Sequence, residues 1–238
     1  VEGFDVSKRP MIVLLFLMIL FSCTSIACMR KLDLTQNPST FLNIQQVIPD
    51  AIIDMQYYGS YNFIGRPIVG YNQNVALLTS AAANALKAVD ADLELQGYDM
   101  KIYDAYRPQK SVDYFMKWSY DLTDQIMKPE FYPHVEKKDL FSLGYLAAKS
   151  AHSRGSAVDI TLVDKASGQE LDMGGHVDLL DSISWWGTNL ITPEQSANRD
   201  ILKNVMQAHG FKTITKEWWH WVYINETYPG TYWNFDVE

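Results

Sequence analysis

The sequence predicts a single α+β domain built on a central, mainly antiparallel sheet flanked by helices. Segments with apolar residues at helical spacing occur alongside segments that alternate as strands do. The two kinds do not follow one another in the regular strand-helix order of a doubly wound fold. No internal repeat is present, and 238 residues make one domain the default.

In chain order, residues 30–50 carry polar residues and two prolines, Pro38 and Pro49, and read as a tether leading into an entry strand at Ala51-Ile-Ile-Asp-Met55. Residues 57–67, rich in tyrosine and glycine, read as loop and short strand. A core helix follows over residues 79–96, where Ala82, Ala85, Leu86, Val89 and Leu93 share a face and Gly97 supplies the stop. Met100-Lys-Ile-Tyr-Asp-Ala-Tyr106 alternates as a strand up to Pro108, and residues 111–122 form a second amphipathic helix. Residues 125–140 are polar and proline-broken, a surface excursion. Ala157-Val-Asp-Ile-Thr-Leu-Val163 is a strand between turns, and residues 197–209 a helix with Ile201, Leu202, Val205 and Met206 inward and Gly210 beyond its end. Residues 218–223 are β-prone.

Lys and Arg total 20 against 28 Asp and Glu, a formal charge of −8 with no basic run, which argues against a nucleic-acid partner. At the N-terminus, Lys8 and Arg9 precede the apolar run from Met11 to Phe21, the pattern of a secretory signal. An uncleaved membrane anchor is the alternative, since extension to Met29 approaches a span. Leu20-Phe21-Ser22-Cys23 resembles a bacterial lipoprotein cleavage box, which would make Cys23 an acylated first residue and tether an exported domain to a membrane. The expected organisation is therefore a signal peptide or lipoprotein signal over residues 1–28, a tether over 29–41, and a folded domain over 42–238, periplasmic or at the cell surface. Cys23 and Cys28 are the two cysteines of the chain, so the domain has no disulfide and no thiolate ligand. His and carboxylate side chains are left as the strong metal ligands.

One constellation carries chemistry. Ser150-Ala-His-Ser-Arg-Gly-Ser-Ala-Val-Asp159 places a histidine before a glycine turn and an aspartate inside the next strand, and Glu217-Trp-Trp-His220 sets a carboxylate and an imidazole close together. Two imidazoles and one carboxylate are a known ligand set for catalytic zinc, because three protein ligands leave one coordination position open. An acid that does not ligate is then available as a base. Taken singly, each residue also suits a surface or hydrogen-bonded core role. Arg107 alone reads as a strand-end arginine paired to a carboxylate, Asp178 as a helix-capping acid, and Trp218, Trp219 and Trp221 as core and pocket wall.

Together with Tyr57, Asn62-Phe63, Asp104-Ala-Tyr-Arg-Pro108 and Met173-Gly with Asp178, these motifs occur in an order that resembles the D-alanyl-D-alanine dipeptidases of the vancomycin-resistance type, within the zinc D-Ala-D-Ala carboxypeptidase and dipeptidase superfamily. The resemblance runs from about Ile52 to the C-terminus. It implies one zinc ion held by His152, Asp159 and His220, with Glu217 as general base and acid and Arg107 stabilising the transition state. It further implies Asp178 as receiver of the substrate ammonium, with Tyr57 and Ser150 in the pocket. The activity implied is hydrolysis of the D-Ala-D-Ala dipeptide. The alternatives are a D,D-carboxypeptidase or murein endopeptidase of the same superfamily, or a catalytically silent zinc- or wall-binding lipoprotein.

Overall fold

The computed structural model of the protein describes residues 32–238. The signal-like segment, with Cys23 and Cys28, lies outside the described residues. Asp33–Glu238 forms one compact unit. In order it contains β1 (Phe41–Asn43), α1 (Ile44–Val47), β2 (Ile52–Ile53), β3 (Leu77–Thr79), α2 (Ser80–Leu95), β4 (Tyr98–Asp104), α3 (Gln109–Tyr120), α4 (Lys128–Phe131), β5 (Ala157–Asp164), β6 (Gln169–Glu170), α5 (Pro193–Ala208), β7 (Phe211–Ile214) and β8 (Glu217–Tyr223).

The main sheet runs β2-β4-β5-β8-β7, with β6 added to the far end of β5. Within it β2 and β4 are parallel and the remaining pairs antiparallel, as the sequence predicts. All but the last residue of β5 are buried, so this central strand is covered on both faces. On α2, the residues Ala82, Ala83, Leu86, Val89 and Leu93 are buried, the stripe expected of a helix packed on a core. The α5 helix starts four residues before the apolar pattern does. Thr192 and Gln195 exchange side-chain and backbone hydrogen bonds in a capping box, and Pro193 occupies the first turn, where no N–H is needed.

Three parts of the chain differ from the sequence expectations. Residues 33–41 are held against the domain: the Asn234 N–H donates to the Leu34 carbonyl at 2.7 Å, and the Phe41 ring packs edge-on to Tyr106 and Phe235. The compact unit thus begins ahead of Leu42, through long-range contacts that local composition does not reveal. Residues 125–140 are no mere excursion, because Phe131, Tyr132 and Leu140 are fully buried. The strands β1, β3 and β7 were not anticipated, being three or four residues long. Trp218, Trp219 and Trp221 are buried core.

Candidate active site and metal centre

Register across the sheet builds the site. Asp104 on β4 pairs with Asp159 on β5, and Asp159 pairs with His220 on β8, so three polar residues stand in one row across adjacent strands. Glu217 lies three residues before His220, and in an unbroken strand their side chains would point to opposite faces. The register of β7 with β8 breaks between Thr213 and Ile214, whose partners are Trp221 and Glu217. This bulge re-phases the alternation, and Glu217 and His220 line the same cavity.

His152 reaches the row from a single 3-10 turn, His152–Arg154, closed by Gly155 in the left-handed region at φ +67°. A Cβ there would stand 2.3 Å from the Phe41 ring. Gly155→Ala should therefore destabilise the fold by about 2–4 kcal/mol, combining left-handed strain with overpacking. Urea unfolding of the two proteins measures this difference.

All eight residues singled out in the sequence, namely Tyr57, Arg107, Ser150, His152, Asp159, Asp178, Glu217 and His220, line one cavity of about 320 Å³. Within it, Nε2 of His152 lies 3.0 Å from Nδ1 of His220. The Asp159 carboxylate lies 3.0 Å from His220 Nδ1 and 3.2 Å from His152 Nε2. Tetrahedral zinc with bonds of about 2.0–2.1 Å would set its ligand atoms about 3.3 Å apart, so the three donors fit the ion. The opposite nitrogen of His152, Nδ1, sits 2.6 Å from the Ala105 carbonyl. Donating there fixes the tautomer and turns the Nε2 lone pair toward the centre. Burial alone would raise the Asp159 carboxyl, but His152 and His220 hold it well below the usual carboxylate range.

Asp104 joins this centre although the sequence reading gave it no role. It is buried, accepts from the Tyr71 hydroxyl at 2.6 Å and from Arg107 Nε at 2.8 Å, and lies 3.4 Å from His152 Nδ1. It thereby orients both Arg107 and the first histidine. The Arg107 guanidinium stacks over the rings of Tyr57 and Phe115, at 4.9 and 5.2 Å. Its Nη2 lies 2.8 Å from the Asp104 carboxylate and 3.5 Å from that of Asp159. The Glu217 carboxylate stands 4.0 Å from His220 Nδ1, and burial pushes it up to about 7. Asp178 is buried, accepts from the Tyr57 hydroxyl at 2.6 Å, and is pushed up to about 8 by burial and then by the charge of Asp159. The Ser150 hydroxyl accepts from the His152 N–H at 3.2 Å.

The family model described as D-Ala-D-Ala dipeptidase, peptidase family M15, matches residues 37–238. The chain belongs to the D-Ala-D-Ala dipeptidase family. Among similar proteins, the D-alanyl-D-alanine dipeptidase of Enterococcus faecalis is 36% identical over 197 residues, covering 83% of this chain and 98% of that one. The D-alanyl-D-alanine dipeptidase of Streptomyces coelicolor is 36% identical over 197 residues with the same coverage, and that of Escherichia coli is 32% identical over 179 residues, 75% of this chain and 82% of that one. Membership of the D-Ala-D-Ala dipeptidase family makes the chain a zinc-dependent peptidase and hydrolase, and its His-Asp-His group could hold the ion. The match begins at residue 37, inside the compact unit.

Proposed function

We propose that the protein hydrolyses free D-alanyl-D-alanine to D-alanine, with Glu217 moving the protons and Asp178 selecting the substrate's free amine. The observation that carries this reading is the buried Asp178 carboxylate in the same cavity as the metal group. A dipeptide zwitterion places an ammonium one residue from its scissile carbonyl. A longer peptide would put an amide there, which offers Asp178 no charge to pair with. Lys149 and Lys212, also at the cavity, supply positive potential suited to the substrate carboxylate.

Zinc, when bound by His152, Asp159 and His220, supplies Lewis acidity that activates water and polarises a carbonyl near neutral pH. Glu217, placed beside His220 without ligating, accepts the proton of the attacking water and delivers it to the departing amine. Arg107 lines the cavity and supplies guanidinium charge where an oxyanion develops. Tyr57 holds Asp178 through its hydroxyl and Arg107 through its ring, linking substrate recognition to the reacting centre.

Asp178→Asn keeps the acceptor for Tyr57 and removes the charge. It should lower kcat/KM for D-Ala-D-Ala by about 100-fold, carried by KM, since truncating a buried charge pair costs about 2–5 kcal/mol. The pH profile has a definite sign. With its pKa raised to about 8, Asp178 is protonated in the free protein at pH 6 and must lose that proton to bind an ammonium. KM should therefore fall as pH rises from 6 toward 8, and the fall should vanish in Asp178→Asn. Equal kcat/KM on D-Ala-D-Ala and on a pentapeptide ending in it would instead favour the carboxypeptidase or endopeptidase reading.

The basic and apolar N-terminal segment supports export, and Cys23 supports lipid tethering. On that reading the substrate is dipeptide outside the cytoplasm, and the role is salvage or wall turnover rather than antibiotic resistance. Cell fractionation tests the tether: the protein should sediment with membranes, and Cys23→Ala should release it.

A further inference from the structure

The buried Arg199 takes no part in the chemistry described above, and its surroundings are unusual for a charge. It projects from α5, is 2% exposed, and forms no ion pair among the described residues. Its donors instead reach three backbone carbonyls: Nε to Met173 at 2.7 Å, Nη2 to Ile183 at 3.0 Å and Nη1 to Trp185 at 3.2 Å. These carbonyls belong to the two ends of one loop, residues 173–185. Asp172 contributes charge to Arg199 without forming an ion pair, and a planar fork of donors is what arginine offers over lysine.

Asp178 lies between the two ends of that loop. It has a φ of +63°, the one non-glycine residue with positive φ among the described residues. A left-handed aspartate persists only where its surroundings impose it. The loop contains a single 3-10 turn, Ser182–Ser184, and its other restraints include the Leu180 N–H donating to Phe131 and the Ser184 hydroxyl donating to Leu179. The guanidinium also faces the Trp218 ring at 5.7 Å, next to Glu217 in the chain.

We propose that Arg199 is a positioning residue for amine recognition, clamping both ends of the 173–185 loop so that Asp178 is held facing the cavity. This rests on the reading that Asp178 receives the substrate ammonium. Arg199 acts at a distance, on binding rather than on the reacting atoms.

The test compares the whole protein with Arg199→Lys, Asp178→Asn and the double variant. kcat and KM are measured for D-Ala-D-Ala and N-acetyl-D-Ala-D-Ala, with the zinc content of each protein. Arg199→Lys should raise KM for the free dipeptide about tenfold or more, leave kcat within about threefold and keep its zinc. It should compress the preference for the free amine, and in the Asp178→Asn background it should add less than about twofold, because the two changes disable one interaction. A lower melting temperature with unchanged KM would overturn the proposal, leaving Arg199 merely structural, and so would effects of the two substitutions that multiply. The Asp178→Asn arm separates the two levels: unchanged KM there sinks the recognition reading itself, whereas a raised KM there with none in Arg199→Lys sinks only the clamp. Should Arg199→Lys fail to fold, Arg199→Gln, an uncharged donor at the same place, is measured instead, and unchanged KM in that variant overturns the clamp.

Discussion

Glu217→Gln should lower kcat for D-Ala-D-Ala by about 100- to 10,000-fold while the protein keeps one zinc ion per chain. The amide has nearly the shape of the acid and cannot accept a proton, so the change isolates proton transfer from packing. Glu217 has no side-chain hydrogen bond among the described residues, and its carboxylate lies 4.0 Å from His220 Nδ1. The substitution therefore breaks no network that holds the fold. The ligand atoms of His152, Asp159 and His220 all lie within 4.8 Å of one another without any contribution from Glu217, which is why zinc should stay. Loss of zinc in the variant would make Glu217 a ligand, and the assignment of the base would fail. Steady-state kinetics with metal analysis of the same sample decides between the two.

Arg107→Lys should cost about 3–4 kcal/mol in kcat/KM, roughly 100- to 1,000-fold, the typical penalty for losing one donor aimed at an oxyanion. Charge is retained, so Asp104 and Asp159 keep a cation near them. What disappears is the planar fork, whose Nε and Nη2 hold Asp104 at a fixed angle. An ammonium drawn to Asp104 has no second arm at a fixed angle. The loss should fall mainly on kcat, with binding of an unreactive dipeptide analogue little changed. A variant that instead lost analogue binding and kept kcat would assign Arg107 to ground-state recognition.

Much of this was legible in the sequence, and the reasons are local. The α2 helix has its apolar stripe and glycine stop, β5 is bounded by turns, and the candidate ligand and base positions sit in short motifs whose residue types fit zinc chemistry. What escaped depends on contacts distant in sequence. Asp104 looks like any strand acid until the register places it beside Asp159 and under His152. Glu217 and His220 appear to face apart until the β7–β8 irregularity turns them together. Residues 33–41 read as tether because the Phe41 ring that anchors them meets Tyr106 and Phe235 from the other end of the chain. Arg199 sits among polar residues of α5 with no local sign that its partners are carbonyls of a loop more than ten residues upstream.

Dipeptide hydrolysis by this chain should depend on a single zinc ion held by His152, Asp159 and His220. Titrating zinc into chelator-stripped protein while following release of D-alanine tests this dependence most directly. Activity should be absent without metal, rise linearly and break at one equivalent per chain, with no recovery in His220→Ala at that concentration. Full hydrolysis by the stripped protein, or recovery in His220→Ala equal to the parent, would contradict it.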